Sequence, residues 1–551
     1  MSGRPPMTLR TGKTLRTGKT LRTGVTRRAA RRASLLMGAA ALTLLAGAAS
    51  ADTLRIGAQA DAGTMDPQAQ NIQTTITVLS WIYEPLVTRD ENMAKAPMLA
   101  TAWEQTDDTT WRFTLREGVT FADGAPFTAD DVKFTIERSQ APSSQFSGYT
   151  AGLTVNVVDD LTVDVVTPKP DPLLPDRLAN IPIMDKEWTE ANGALTPQDL
   201  KSGEESYTAL HANGTGPYVL ESRAPDSKSV FTLRDDYWGE MADDIETIEF
   251  NPIASDPTRI AALLSGELDL VIDVPSQAVA RLEASPGIKI EQVDEFRTIF
   301  FGFDLANDDP QYVEAEGNPF KKKEVREAIS YAVDRDAIVK TVMRGLASKT
   351  NQILAPKNNG YLAANDEAPA YDPEKAKELL AEAGYPDGFA FTLDCPNNRY
   401  INDEQVCRTL VTMLSRIGLD VTLNAMPRAQ YFPKLWERDT SAFMMGFNSP
   451  FADGMYALET MLMSRNDDAG EGIYNYNQYA NPELDAKIRS ARDELDAAKR
   501  TALMEEIFSE ITDEVLYVPL YNQVLVYAMK DTVTAPVRPD NWLEIRWVTM
   551  D

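Results

Sequence analysis

The chain has 551 residues, with 83 Asp and Glu, 54 Lys and Arg, one His and two Cys, for a formal net charge of −29. An acidic surface of this kind is repelled by nucleic acid and by anionic membranes. A haem or copper role for the methionines between 444 and 463 would need neighbouring His or Cys partners, which are absent there, and the length points to two or three lobes, not one small core.

Residues 1–51 hold ten Lys or Arg and no Asp or Glu, followed by an apolar run from Leu35 to Ala46 and then Ala49-Ser50-Ala51. This reads as a secretory leader cleaved after Ala51; the apolar run is shorter than the ~20 residues a bilayer span needs. Arg27-Arg28 and Arg31-Arg32 raise a twin-arginine route, but Ser34 stands where that signal takes an apolar residue, so ordinary export is expected. No cysteine precedes Cys395, so no lipid anchor and a free periplasmic protein are expected. The repeated Thr-Leu-Arg-Thr-Gly-Lys at 8–13 and 14–19 spells Gly-Lys-Thr twice without the upstream glycine spacing of a phosphate loop. Cleavage would leave 44 basic against 83 acidic residues, a net charge of −39.

In chain order, Leu54–Gly57 is a predicted strand, Asp61–Pro67 a turn-rich loop, and Thr75–Val87 a predicted helix. Trp111, Phe113 and Leu115 alternate with polar residues as in a half-buried strand. Thr128 with Asp131 three residues on predicts a helix start, and Val132 and Ile136 begin its apolar face. A hairpin follows at Leu153–Val157 and Thr162–Val166, with loops at Pro168–Pro175 and Gly203–Ser206. Strands are predicted at Tyr218–Glu221, Val230–Arg234, Ile245–Phe250 and Leu268–Ile272. Asp256 is expected to cap a helix that Gly266 ends.

Thr298–Asp304 is a continuous apolar strand, read as a crossing between lobes, and the chain re-crosses near Tyr517–Asn522. Helices are predicted at 324–333, 335–344, from Tyr371-Asp372-Pro373 to Gly384, and at 482–495 and 498–513. Between the crossings, strands Phe389–Asp394, Leu419–Asn424 and Phe443–Phe447 alternate with helices 403–417 and 428–437, as in a doubly wound sheet.

Five segments, Tyr83–Val87 (YEPLV), Leu99–Trp103 (LATAW), Trp103–Ser139, Gly214–Tyr218 (GTGPY) and Ser265–Val271 (SGELDLV), resemble the extracytoplasmic solute-binding proteins of family 5, the peptide-binding components of ABC importers. The resemblance implies an α/β, two-lobed periplasmic-binding-protein fold of the type II, Venus-flytrap kind, with an extra small subdomain in the first lobe. On that reading lobe I spans 52–302 with its subdomain at about 95–205, lobe II spans 303–520, and 521–551 return to lobe I. The implied function is capture of a small organic solute for delivery to a membrane permease and its ATPase subunits. The implied protein is a periplasmic monomer with no cofactor, no metal and no nucleic-acid partner.

Ligands of open α/β sheets gather outside the carboxyl ends of the strands. That rule selects Thr64, Asn71, Gln73 and Thr74 in the first lobe. In the second it selects Asn397, Arg399, Tyr400, Arg428, Phe447, Asn448, Asp453 and Tyr456. Arg399 could clamp a carboxylate or phosphate, with a solvated arginine as the plain alternative. Phe447, Phe451 and Tyr456 could wall an apolar pocket, or simply pack. Cys395 and Cys407, the only cysteines, are expected to be bridged in an oxidising compartment and to stiffen this loop. Met444, Met445, Met455, Met461 and Met463 read as core and lining, and the lone His211 as no metal ligand.

In peptide-binding relatives an aspartate after a Gly-Trp pair holds the α-amino group. Gly446-Phe447 matches the pair, and the aspartate position falls near Pro450, with Asp453 the nearest carboxylate. Cys395–Cys407 (CPNNRYINDEQVC) looks more like relatives that take opines and other amino-acid or sugar conjugates. No HExxH, GxSxG or nucleophile constellation is present, so an enzyme is not expected. A periplasmic chaperone or sensor partner on the same fold is the second reading and a secreted glycosidase, needing only two carboxylates, the third.

Overall fold

The computed structural model describes residues 53–551 apart from 201, 203–205, 242–243 and 467–468. The leader at 1–51 and most of the expected Gly203–Ser206 loop lie outside the described residues.

Two long antiparallel strands organise the fold. Ile288–Phe303 and Val518–Lys530 lie side by side at the centre of a twelve-stranded sheet. On one side of the pair stand Leu270–Val271, Thr53–Ala58, Thr247–Pro252, Lys228–Leu233 and Tyr218–Ala224, in that order. On the other stand Ala442–Asn448 and Ala390–Pro396, flanked by Asp420–Met426 and Val313–Glu314. The two lobes are thus halves of one sheet, each with its own core. Trp81, Tyr83, Phe231 and Phe250 fill the first, and Phe300, Phe301, Phe320 and Phe391 the second.

The ladder between the long strands runs from Ile288↔Lys530 to Asp294↔Val524, breaks, and resumes at Thr298↔Asn522. In the gap the Phe296 amide turns away and donates to the carbonyl of Pro539 at 3.0 Å. Unpaired residues at such a break let a strand bend locally. The crossing strand begins about ten residues before the predicted Thr298, because its amino-terminal half is amphipathic and carries charges.

A separate four-stranded antiparallel sheet is ordered Ala100–Asp107, Thr110–Leu115, Thr162–Val166 and Thr154–Asp159. It packs Phe113, Val163 and Val165 against Val132 and Ile136 of the helix Ala129–Ser139. The Asp131 carboxylate accepts the Thr128 backbone N–H at 2.8 Å, fixing that helix start as the sequence predicts. The GTGPY segment runs so close to Ile82 that a Cβ on Gly214 or Gly216 would overlap its backbone, and the Gly216 N–H donates to the Ile82 carbonyl at 2.7 Å.

Three local expectations are corrected. The helix predicted over Thr75–Val87 spans only Gln73–Leu79, and Val87–Arg89 is a strand. Pro85 cannot donate within a helix, and the Glu84 carboxylate is instead buried among Thr215, Tyr237 and Trp238. Ser255, not Asp256, is the N-cap of the helix Asp256–Ser265. The predicted Pro168–Pro175 loop runs into a short helix, Leu174–Leu178.

Candidate functional site

Two cavities open along the seam between the lobes. The smaller, about 340 Å³, has a first-lobe wall of Gln59, Asp256 and Asp273–Gln277 and a second-lobe wall of Asn398–Asn402. Val524–Tyr527 of the returning strand and Asn541 complete it. The second-lobe wall is the loop that leaves the carboxyl end of Ala390–Pro396. The Asp403 carboxylate holds that loop by accepting the N–H groups of Arg399 at 2.8 Å and Tyr400 at 3.1 Å. The bridge between Cys395 and Cys407, both fully buried, staples it to the helix Asp403–Ser415. The Tyr400 hydroxyl donates to the Gly446 carbonyl, and Ile401 N–H donates to Gln523 on the returning strand.

The larger cavity, about 550 Å³, lies between the small subdomain and the second lobe. Asn71, Tyr149, Lys169 and Arg177 face Phe451, Tyr456, Glu459, Tyr474 and Arg492 across it. Tyr149 meets Phe451 edge-on at 5.0 Å, Phe451 meets Tyr456 at 5.3 Å, and Phe447 stacks behind Tyr456 at 5.8 Å. Burial pushes the Tyr149 hydroxyl up to about 12, so it stays neutral, and it accepts from the Asn71 Nδ2 at 3.3 Å. Burial also raises the Glu459 carboxyl, against the lowering pull of Arg177 and Arg492.

A charged group lies where the ladder breaks. Arg297 pairs with Glu295 at 3.0 Å, and the other oxygen of Glu295 accepts from Gln523 at 2.8 Å. Arg399 lies near enough that burial, and then the like charge of Arg297, push its guanidinium down from its usual range.

The residues selected from sequence fall into three groups. Asn71, Arg399, Tyr400 and Tyr456 line the cavities. Phe447 backs the aromatic wall, and Asn448 stands opposite Arg297 in the ladder with its Oδ1 buried and unpartnered among the described residues. The Gln73 Nε2 is in the same condition beside Asn71, and Thr74 follows it half-buried. Asn397 and Arg428 are exposed behind the loop, where the Arg428 N–H donates to Asn398. Thr64 is fully buried and donates to Gln198. Asp453 is also turned inward: Arg500 pairs with it at 2.9 Å and Asn359 donates to it at 2.8 Å, so it offers no free charge to an ammonium.

Sequence reasoning missed Asp273, Arg297, Tyr149 and Arg177. The readable signal for Arg297 was a charged Glu295-Phe296-Arg297 interrupting an apolar strand; Asp273 and Tyr149 carried none. His211 is exposed and stacks on Tyr207 at 3.9 Å. Among the described residues, the one carboxylate cluster that could hold a cation is Asp131, Asp185 and Glu187. Asp131 and Asp185 already serve as caps for neighbouring backbone N–H groups, which marks the cluster as architecture.

The family described as bacterial extracellular solute-binding proteins, family 5 Middle, matches residues 95–469. The chain is 27% identical over 481 residues to the glutathione-binding protein GsiB of Salmonella paratyphi A, covering 86% of this chain and 89% of that one. Among solved structures it is similar to the periplasmic binding protein DppA from Helicobacter pylori in complex with the peptide STSA. That match has 23% identity and a TM-score of 0.73, and covers 91% and 98% of the two chains. It is also similar to AgaA of A. tumefaciens R10 in complex with agropinic acid, at 24% identity and a TM-score of 0.72, covering 91% and 99%. These structures share its two-lobed fold.

Proposed function

The chain belongs to the bacterial extracellular solute-binding proteins of family 5, and on that premise we propose that it is the periplasmic binding component of an ABC importer. It takes a small organic solute into the seam, closes, and hands it unchanged to a membrane permease driven by ATPase subunits. The reading rests above all on one observation: each cavity has walls from both lobes. A solute there gains its full contacts only when the lobes are together, and only such a preference can shift the equilibrium toward closure. A micromolar affinity, suited to capture, is about −8 kcal/mol.

The solute is a peptide, an opine or a related amino-acid or sugar conjugate. Glutathione, a tetrapeptide and agropinic acid appear among the relatives. The usual amine-anchoring position falls near Pro450, and Asp453 is neutralised by Arg500, which speaks against the ordinary peptide grip. Asn71, Arg399, Tyr400 and Tyr456 make direct contacts, supported by Phe447 and Asn448. The protein acts as a monomer and performs no chemistry, and its lobes comprise 52–302 with 521–551, and 303–520. Mass spectrometry of small molecules released by denaturing the purified periplasmic protein is expected to yield one such solute. The same solute, isotope-labelled, should be recovered unaltered after incubation; an altered product would reject the reading.

A further inference from the structure

The two cavities differ in how their charges are balanced. In the larger one the charges largely answer each other: Arg177 lies 3.2 Å from Asp171, and Arg492 lies 3.0 Å from Glu471 and 3.6 Å from Glu459. In the smaller one, two opposite charges from different lobes are left over. Asp273 on the first lobe receives only a long contact, 3.4 Å, from the Gln59 N–H. The nearby Arg259 is spent on the Asp256 carboxylate and on backbone carbonyls, including that of Asp273 itself. Arg399 on the second lobe carries five N–H donors, yet among the described residues its guanidinium makes no hydrogen bond or ion pair and lies only over the Tyr400 ring at 5.0 Å.

Asp273 also has a left-handed backbone, φ 60°, uncommon for any residue but glycine and tolerated best by Asn and Asp. It follows the strand Leu270–Val271 at the strand's carboxyl end, where that turn directs the chain along the cavity wall. Around Arg399 the other charges are Arg297, Arg428 and Glu295, and Glu295 is already held by Arg297 and Gln523. The cavity therefore carries a carboxyl on one wall, raised by burial against the lowering pull of Gln59 and Arg259, and a guanidinium on the other. Half-buried charges without partners are costly to keep, and a ligand bearing both opposite charges relieves both at once.

We propose that the smaller seam cavity receives an α-amino-acid head group, with Asp273 of the first lobe holding the ammonium and Arg399 of the second holding the carboxylate. The inference deepens the solute-capture reading and rests on it. It moves the amine anchor across the seam from the position near Pro450. Because the two anchors sit on different lobes, the head group is the part of the solute that draws the lobes together, and the remainder is free to vary.

The test uses the full secreted protein freed of bound solute, with glutathione, L-glutamine and γ-L-glutamyl-L-alanine as probes, each carrying a free α-amino-acid group and each beside its N-acetyl derivative. The expected result is that at least one probe binds and that acetylation, which removes the ammonium, weakens it tenfold or more. In Asp273→Asn, whose side chain keeps the left-handed turn, that discrimination should fall to less than threefold. Arg399→Gln should weaken the free probe tenfold or more, with both variants melting within a few degrees of the parent when unliganded. The proposal is overturned if no probe binds, if acetylation makes no difference, or if Asp273→Asn still discriminates. Solute capture itself is judged separately: a co-purified solute lacking an α-amino-acid group would reject the head-group assignment and leave capture standing.

Discussion

Arg138 and Asp66 form a fully buried bidentate pair, with Nη2 2.6 Å from Oδ2 and Nη1 2.9 Å from Oδ1. Removing one partner of such a pair strands the other charge, so Arg138→Ala should cost about 3–5 kcal/mol in denaturant unfolding. Burial alone would raise the Asp66 carboxyl, but the hydrogen bonds and charge of Arg138 outweigh it and hold it below the usual range. Its stabilising contribution is therefore complete above the unfolded value of about 3.9 and disappears as pH falls through the lower folded value. Asp131 works in the opposite sense. Burial is the main cause of its rise to about 6, so the folded state holds a proton that the unfolded state has released, and stability declines as pH climbs from about 4 to about 6. Asp131→Asn should flatten the Tm profile over that interval, even though it also disturbs the cap at Thr128. At the seam, Arg399→Ala or Phe447→Ala should abolish the ligand-induced thermal shift while the unliganded Tm stays within a few degrees; normal binding by both would displace the site from these walls. The candidate residues were partly legible because strand ends can be counted from sequence. Asp453 shows the limit: its charge is cancelled by Arg500, 47 residues away, and no local pattern reveals such a partner. Asp273 shows the other limit, since its role depends on Arg259 being occupied elsewhere.

Most helices and strands were readable where periodicity and caps agree. Gly266 ends its helix in the left-handed region at φ 81°, and Asp372 caps Pro373–Glu382 by accepting the Lys375 N–H. The βα alternation of the second lobe appears as parallel strands, Ala390–Pro396 pairing with Asp420–Met426 in continuous register. The failures came where long-range partners override local preference. Residues 80–87 carry apolar spacing suited to a helix, yet Trp81 and Ile82 carbonyls bond to Tyr218 and Gly216 far along the chain. The Cys395–Cys407 bridge closes a loop with a sequence separation of 12. Replacing both by Ala should lower unfolding free energy by about 3 kcal/mol on the chain-entropy account, measurable by urea titration. It should also weaken solute binding, because the loop carrying Arg399 and Tyr400 would need ordering on each capture.

At the scale of the molecule, the lobes touch on both rims of the seam. The Arg89 guanidinium pairs with Asp176 at 2.9 Å and donates to the Phe451 carbonyl of the other lobe, and Asn402 donates to Ser276 across the opposite rim at 3.2 Å. Met93, Phe296 and Ala452 pack together between them. Arg89→Ala should remove about 1.5–3 kcal/mol of charge-assisted bonding from the closed arrangement, while Lys95 keeps Asp176 paired at 2.8 Å. Small-angle X-ray scattering should then show that more solute is needed to bring the variant to the radius of gyration of the solute-bound parent.

The shared central sheet also orders events during biogenesis. The second half-sheet is built from a contiguous stretch of chain, whereas the strand Leu270–Val271 has to wait for Ala528 and Met529 to arrive before its outer edge is covered. A polypeptide emerging amino-terminus first therefore presents an open β-edge until almost its last residues have appeared, and such edges invite pairing with neighbouring chains. Nascent molecules halted shortly before residue 518 should be protease-sensitive on the amino-terminal side and aggregate readily, and supplying the missing segment as a separate peptide should rescue them.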